Sequence, residues 1–128
     1  MTRTNIPGTS PYEPVIGFSR AVRIGNHIHV SGTGPVGADT LGAAQQTAQC
    51  LTLIATALEN AGGSIEHVYR TRMYLTHAED WEAVGRIHGQ FFSLIRPAAT
   101  MVVVAALLNS AWRIEIEADA LVPDQQPG

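Results

Sequence analysis

Between His67 and Leu75 the chain alternates strictly enough to fix a strand with two unlike sides. Tyr69, Thr71, Met73 and Leu75 share one side; Val68, Arg70, Arg72 and Tyr74 share the other. Such a strand belongs to a sheet that rests one face on an apolar core and turns the other, cationic face elsewhere. The flanking segments supply the cover for the apolar face. Upstream, Ala44, Ala48, Leu51, Ala55 and Leu58 recur at helical spacing, and Gly62-Gly63 provides a left-handed stop. Downstream, Thr76-x-x-Glu79 has the form of a capping box. It would open a second helix that turns Trp81, Val84, His88 and Phe91 to one side. Arg96-Pro97 ends that helix.

The remaining segments complete the sheet. Residues 21–24 and 27–30 are β-prone runs around Gly25-Asn26, the pattern of a two-residue hairpin. Residues 100–106 and 112–121 read as the last two strands, with Asn109-Ser110 in their connection. Residues 1–16 are expected to form an extended arm and 123–128 a tail. The resulting order is β-β-α-β-α-β-β. It predicts a single α+β domain spanning 1–128, with one mixed sheet and both helices packed on one face. The other face then needs a cover that the chain does not supply.

Composition excludes several functions. The chain has 128 residues, 45% apolar, enough for one core. Its polar start, Met1-Thr2-Arg3-Thr4-Asn5, lacks the apolar stretch of a signal peptide, and no apolar run approaches the length of a membrane span. The lone Cys50 cannot form an internal disulfide. A cytoplasmic protein is expected. Net charge is −3, and the eight basic residues are scattered, which gives no footprint for nucleic acid. All eight are arginine, so a Schiff-base lysine is excluded, and with it covalent pyridoxal phosphate chemistry. No cofactor is expected.

Several motifs admit a sharp and a plain reading. Gly32-Thr33-Gly34-Pro35-Val36-Gly37 matches the dinucleotide fingerprint in letters. However, Pro35 removes a backbone N–H and no helix opens there, so a strand-to-loop exit is the better reading. His27 and His29 share a strand face and make half a metal site with no third ligand in view, so no metal is expected. His67 and His77 lie at element boundaries, where solvated imidazoles are expected. His88 reads as a core-edge histidine with one hydrogen bond, and Cys50 as a small buried hydrophobe.

Five pieces carry a resemblance: Arg70-Thr71-Arg72-Met73-Tyr74-Leu75-Thr76, Asp80-Trp81-Glu82-Ala83-Val84, Phe91-Phe92, Arg96-Pro97-Ala98 and Ile114-Glu115-Ile116-Glu117-Ala118. From about Gly17 to Val122 the chain resembles the Rid/YjgF family of imine and enamine deaminases, also labelled endoribonuclease L-PSP. The resemblance implies a chorismate-mutase-like fold and a homotrimer with sheets inside, helices outside and ligand clefts between subunits. It makes Glu115 the catalytic carboxylate that holds the hydrolytic water and Ser31 a substrate contact.

Other family positions are altered. The family tyrosine falls on Phe18, its helical asparagine on Gly85, and its carboxylate-gripping arginine on Ala99, with Thr100 beside it. Losing a bidentate guanidinium–carboxylate contact costs about 2–5 kcal/mol, roughly 30- to 4000-fold in binding. Arg72, and with it Arg70, is the candidate replacement. By alternation Arg72 should meet Glu115 or Glu117, as a substrate anchor or as a structural ion pair. Two functions follow. One is a divergent hydrolase or deaminase acting on a small imine, enamine or related carbonyl metabolite. The alternative is a non-catalytic protein that binds a small metabolite or a partner in the same clefts.

Overall fold

A computed structural model describes residues 2–124. Met1 and the end of the expected tail, residues 125–128, lie outside the described residues. The strands are β1 (Arg3–Ile6), β2 (Ala21–Ile24), β3 (His27–Thr33), β4 (Val68–Leu75), β5 (Ala98–Val103) and β6 (Ile114–Leu121). The helices are α1 (Ala43–Asn60) and α2 (Trp81–Phe92). All six strands form one sheet in the order β1-β2-β3-β6-β4-β5. Only β4 and β5 pair in parallel, so the sheet is mixed as expected.

The element order carries one strand more than predicted. Part of the N-terminal arm, Arg3–Ile6, pairs antiparallel with β2. Its residues are mostly exposed and only Ile6 is buried, so no hydrophobic alternation marked it. Backbone pairing to an available edge holds it in place. The hairpin forms as read: β2 and β3 pair through Ile24 and His27, with Gly25 at φ 59° in the turn.

Both helices pack on one sheet face. Leu51, Ile54 and Leu58 of α1 and Val84 and Phe92 of α2 share a core with Ile28, Val30, Met73, Leu75, Ile114 and Ile116. The buried side of α1 centres on Thr47, Cys50, Leu51, Ile54 and Leu58. The expected alanine stripe is therefore displaced: Ala44, Ala48 and Ala55 lie at the rim. Gly62 adopts φ 83° at the end of α1, where Arg23 donates from Nη1 to the Ala61 carbonyl at 2.8 Å. A cation there complements the helix dipole.

Four local expectations fail. Thr76 and Glu79 do not form a capping box; Asp80 precedes α2, and Thr76 Oγ1 bonds His77 Nδ1 instead. A capping box does form at Ser64 and His67. Trp81 is 59% exposed, not core, because it occupies the first position of α2, outside the stripe closed by Val84 and Phe92. In β4, Tyr69 is 45% exposed while Val68 is buried, because the register shifts between Val68 and Arg70 and reverses the alternation there. Thr71, Met73 and Leu75 face the helices as expected. Strand β5 spans Ala98–Val103, earlier than the 100–106 expected, since Pro97 releases the chain directly into pairing with β4.

Gln46 on α1 was not anticipated. Fully buried, it donates from Nε2 to the carbonyl oxygens of Ala111 at 2.9 Å and of Ala38 and Leu41 at 3.3 Å. Its Oε1 accepts from the Arg113 N–H at 2.7 Å. One side chain thereby ties α1 to both loops at the same end of the sheet. Arg113 adds a two-point contact to Asp80 at 2.7 and 3.2 Å, which joins the start of β6 to α2.

Candidate functional site

Alternation along β6 divides its side chains. Ile114, Ile116, Ala118 and Ala120 enter the core, and Glu115, Glu117 and Asp119 project from the face opposite the helices. Strand β4 adds Arg70, Arg72 and Tyr74 to that face, and β3 adds His27 and His29. The uncovered side of the sheet is thus polar and densely charged.

Glu115 lies close to Gly32, where the β3–β6 register shifts between Val30 and Thr33. A Cβ at position 32 would stand 2.7 Å from Glu115 Oε2, so glycine there makes room for the carboxylate. This is the physical reason for the first glycine of the run that imitates a nucleotide motif. A Cβ at Gly34 would collide with the Trp112 ring, so that glycine answers a packing need. The run is a strand-to-loop exit, with α1 starting only at Ala43.

Glu115 is half-buried, and burial is the main cause that raises its carboxyl above the usual carboxylate range. Arg20 opposes that shift and Glu117 adds to it. Arg20 was not singled out by sequence reading. It precedes β2, and its backbone oxygen accepts from the Ser31 N–H, which sets Arg20 and Ser31 side by side. Its Nη2 donates to the Gly32 carbonyl at 2.6 Å. Ser31 in turn donates from Oγ to the Ser19 carbonyl at 2.7 Å. Beside this group lies an open cavity of about 370 Å³, lined in part by Phe18, Ser19, Ser31, Val22, Glu13 and Arg3. The sequence-predicted Phe18 and Ser31 therefore share one cavity, and Glu115 meets Gly32 next to it.

The other predicted residues lie elsewhere in the chain. Ala99 is in register with Thr71, a core-facing residue, so it belongs to the helix side of β5. Gly85 is on that side too: a Cβ there would approach only Met101 Cε, at 3.9 Å. Thr100 takes the opposite face, where Arg70 donates from Nη2 to its Oγ1 at 2.7 Å. Strands β6 and β4 separate β3 from β5, which puts Ser31 and Ala99 roughly 14 Å or more apart. The site residues expected from the sequence thus lie on opposite flanks of the sheet.

Arg72 projects from the uncovered face, as alternation requires, but its partner differs from both candidates. It donates to Asp119 Oδ2 at 3.2 Å, and Asp119 Oδ1 also meets His29 Nδ1 at 2.9 Å. Glu117, opposite Arg72 in register, is taken instead by the Tyr74 hydroxyl. That bond is the first cause raising the Tyr74 phenol, followed by burial. Asp119 was missed because its pairing depends on the diagonal reach of a long arginine across two strands. The Asp119 contact is likewise the first cause that raises the Arg72 guanidinium.

His88 accepts or donates one bond, to Thr71 Oγ1 at 2.9 Å, and burial lowers its pKa, as a core-edge histidine should. His67 Nδ1 accepts from the Ser64 N–H. Cys50 is fully buried, and burial is the chief cause that raises its thiol far above the normal range. Both observations fit packing roles. Among the described residues no group of three or more His, Cys, Asp or Glu is placed to hold a metal ion. No helix among them is long and apolar enough to cross a membrane.

Comparison with known proteins gives this geometry a family. A structure described as a member of the YjgF/YER057c/UK114 family from Mycobacterium tuberculosis superposes with a TM-score of 0.89 at 43% identity, covering 94% of this chain and all of that one. An uncharacterized protein of Streptomyces coelicolor is 37% identical over 115 residues, 87% of this chain and 86% of its own length. The 3-aminoacrylate deaminase RutC of Acinetobacter baylyi is 32% identical over 120 residues, 90% of this chain and 93% of its own. The family model described as Endoribonuclease L-PSP matches residues 9–122, nearly the whole described chain, and the protein belongs to that family, the Rid/YjgF family.

Proposed function

We propose that this chain is a divergent Rid-type hydrolase that acts on a small imine, enamine or related carbonyl compound in clefts between subunits. One observation carries the reading: Glu115 is a half-buried carboxylate with a raised pKa, near Arg20 and against Gly32, whose neighbour Ser31 lines an open cavity. A carboxylate tuned upward is a stronger base than a solvated one and can take a proton from water and return it to a leaving amine. In the step proposed, water adds to the imine carbon as Glu115 accepts its proton. Glu115 returns that proton to the nitrogen, the adduct's hydroxyl gives up the second, and the C–N bond breaks to release ammonia and leave the carbonyl compound. Phe18 and Ser31 border the substrate. The deaminase name of the Acinetobacter relative supports this class of reaction.

We assign Gly85, Ala99 and Thr100 to the second half of the cleft, contributed by a neighbouring copy in a homotrimer. The support is the two-sided distribution of the predicted site and the exposed apolar residues Val102 and Val103 on edge strand β5. In this reading Arg72 and Asp119 brace the subunit interior, since the guanidinium is already engaged by a carboxylate. The chain functions as one domain over 1–128 in the cytoplasm, without cofactor, nucleic acid or membrane.

The alternative, a binding protein without catalysis, rests on Ala99, where the family's gripping cation is missing. Ammonia release from freshly generated 2-aminoacrylate and 2-iminobutyrate separates the two. The hydrolase reading requires release above the spontaneous rate and its loss in Glu115→Gln. Release at the spontaneous rate in the wild type, with a small acid still bound, would favour the binding protein. Sedimentation equilibrium at micromolar concentration should give three times the mass of 13.7 kDa; a monomer would sink the intersubunit cleft.

A further inference from the structure

We propose that Arg20 is the anion-holding residue of this cleft and that it selects small 2-oxo or 2-imino carboxylates in place of the arginine missing at position 99. This rests on the proposed reading only for the location of the cleft.

Of the eight arginines, two keep a buried Nε–H with no acceptor among the described residues: Arg20 and Arg70. Neither has a carboxylate within ion-pair distance there, whereas Arg72 and Arg113 do. A guanidinium offers five N–H donors, and Arg20 uses one of them, on the Gly32 carbonyl. Burial opposes its charge, so an incompletely satisfied cation at this place is costly unless an anion joins it. The nearby carboxylates, Glu13 and Glu115, are near enough to be felt but form no ion pair with it. Both oxygens of Glu13 accept from the Gly8 N–H at 3.0 Å, and Glu115 is the carboxylate reserved for chemistry.

Position distinguishes the two arginines. Arg20 feels the charge of Glu13 first and of Glu115 second, and its neighbours Phe18, Ser19 and Ser31 line the 370 Å³ cavity. That volume falls at the small end of ligand sites, suited to an acid of a few carbons. Arg70 stands four residues along β4 from Tyr74, the register partner of Glu115, which is roughly 13 Å away, and it leans over Thr100. Of these two arginines, Arg20 is the one placed beside the cavity-lining Ser19 and Ser31 and near Glu115, where a bound carboxylate would bring the adjacent carbon toward that side chain. The planar fork of arginine suits two-point contact with a carboxylate, which fixes that carbon's orientation.

The test uses the full-length protein and two probes, 2-oxobutanoate and its methyl ester, with affinities from titration calorimetry. The wild type should prefer the acid to the ester at least tenfold. Arg20→Gln should weaken acid binding by roughly ten- to hundredfold and abolish that preference, with ester binding unchanged. Arg20→Lys, which keeps the charge but loses the fork, should fall between. Arg70→Gln should keep the acid-over-ester preference. Circular dichroism and sedimentation check that each variant is folded and assembled; if Arg20→Gln is not, Arg20→Lys decides by its loss of preference. Acid binding within twofold of wild type in the folded Arg20 variants overturns the proposal. So does loss of the acid-over-ester preference in Arg70→Gln, or absence of acid binding in the wild type. Arg20-dependent binding without ammonia release would refute the hydrolase reading alone.

Discussion

Replacing Gln46 by methionine isolates a buried polar hub of the fold. Methionine matches the length and volume of glutamine, so packing is nearly conserved and the change removes mainly hydrogen bonds. Two of the lost contacts are short: Nε2 to Ala111 O at 2.9 Å and Oε1 from Arg113 N at 2.7 Å. The pair at 3.3 Å to Ala38 and Leu41 is weaker. A buried backbone group left without a partner costs about 1–3 kcal/mol, so two give about 2–6 kcal/mol. Ala111 is exposed and its carbonyl can turn to water, which places the expectation near 3 kcal/mol. With a urea slope of about 2 kcal/mol per molar, the midpoint should fall by about 1.5 M. Tryptophan fluorescence at fixed protein concentration reads it, since Trp112 donates from Nε1 to Asp39 Oδ1 in the adjoining loop, at 2.9 Å. Gln46→Glu should be worse at pH 7, because an ionised carboxylate faces three carbonyl oxygens, and should recover as acid protonates it. A methionine variant within about 0.5 M of wild type, or a glutamate variant as stable as wild type at pH 7, would refute the hub.

Glu115 should give a stability profile of unusual sign. Its folded pKa lies above the ordinary 4.5, so the native state binds its proton first and stability falls as pH rises from 4.5 through the folded value. Glu115→Gln should flatten that limb and raise the urea midpoint at pH 7 to 8; a midpoint below wild type there contradicts the burial argument. Ala99→Arg should raise deamination of 2-iminobutyrate, with Phe18 and Gly85 limiting the gain; a wild type already as fast as ordinary family members removes the reason for the change. Arg72→Ala should lower trimer stability, by breaking the Asp119 contact, while acid binding tracks the folded fraction. Selective loss of acid binding in a trimer that melts normally would make Arg72 the anchor after all.

Local periodicity carried much of the fold. The alternation of β4, the helical spacing before Gly62, the Gly25-Asn26 hairpin and the break at Pro97 each depend on neighbours in sequence, so they could be read without the rest of the chain. The resemblance carried Glu115, Ser31 and Ala99 to their positions by motif. Tertiary structure decided whatever depends on strand order and register. β1 joins the sheet because an edge was free, not because its residues alternate. Tyr69 turns outward at a register shift that only pairing with β6 creates. Asp119 captures Arg72 diagonally, and Tyr74 occupies the Glu117 that stood opposite it. Arg20 and Glu115 are 95 positions apart in the chain. They come near each other because β2, which follows Arg20, and β6, which carries Glu115, both pair with β3, a juxtaposition that no local pattern encodes.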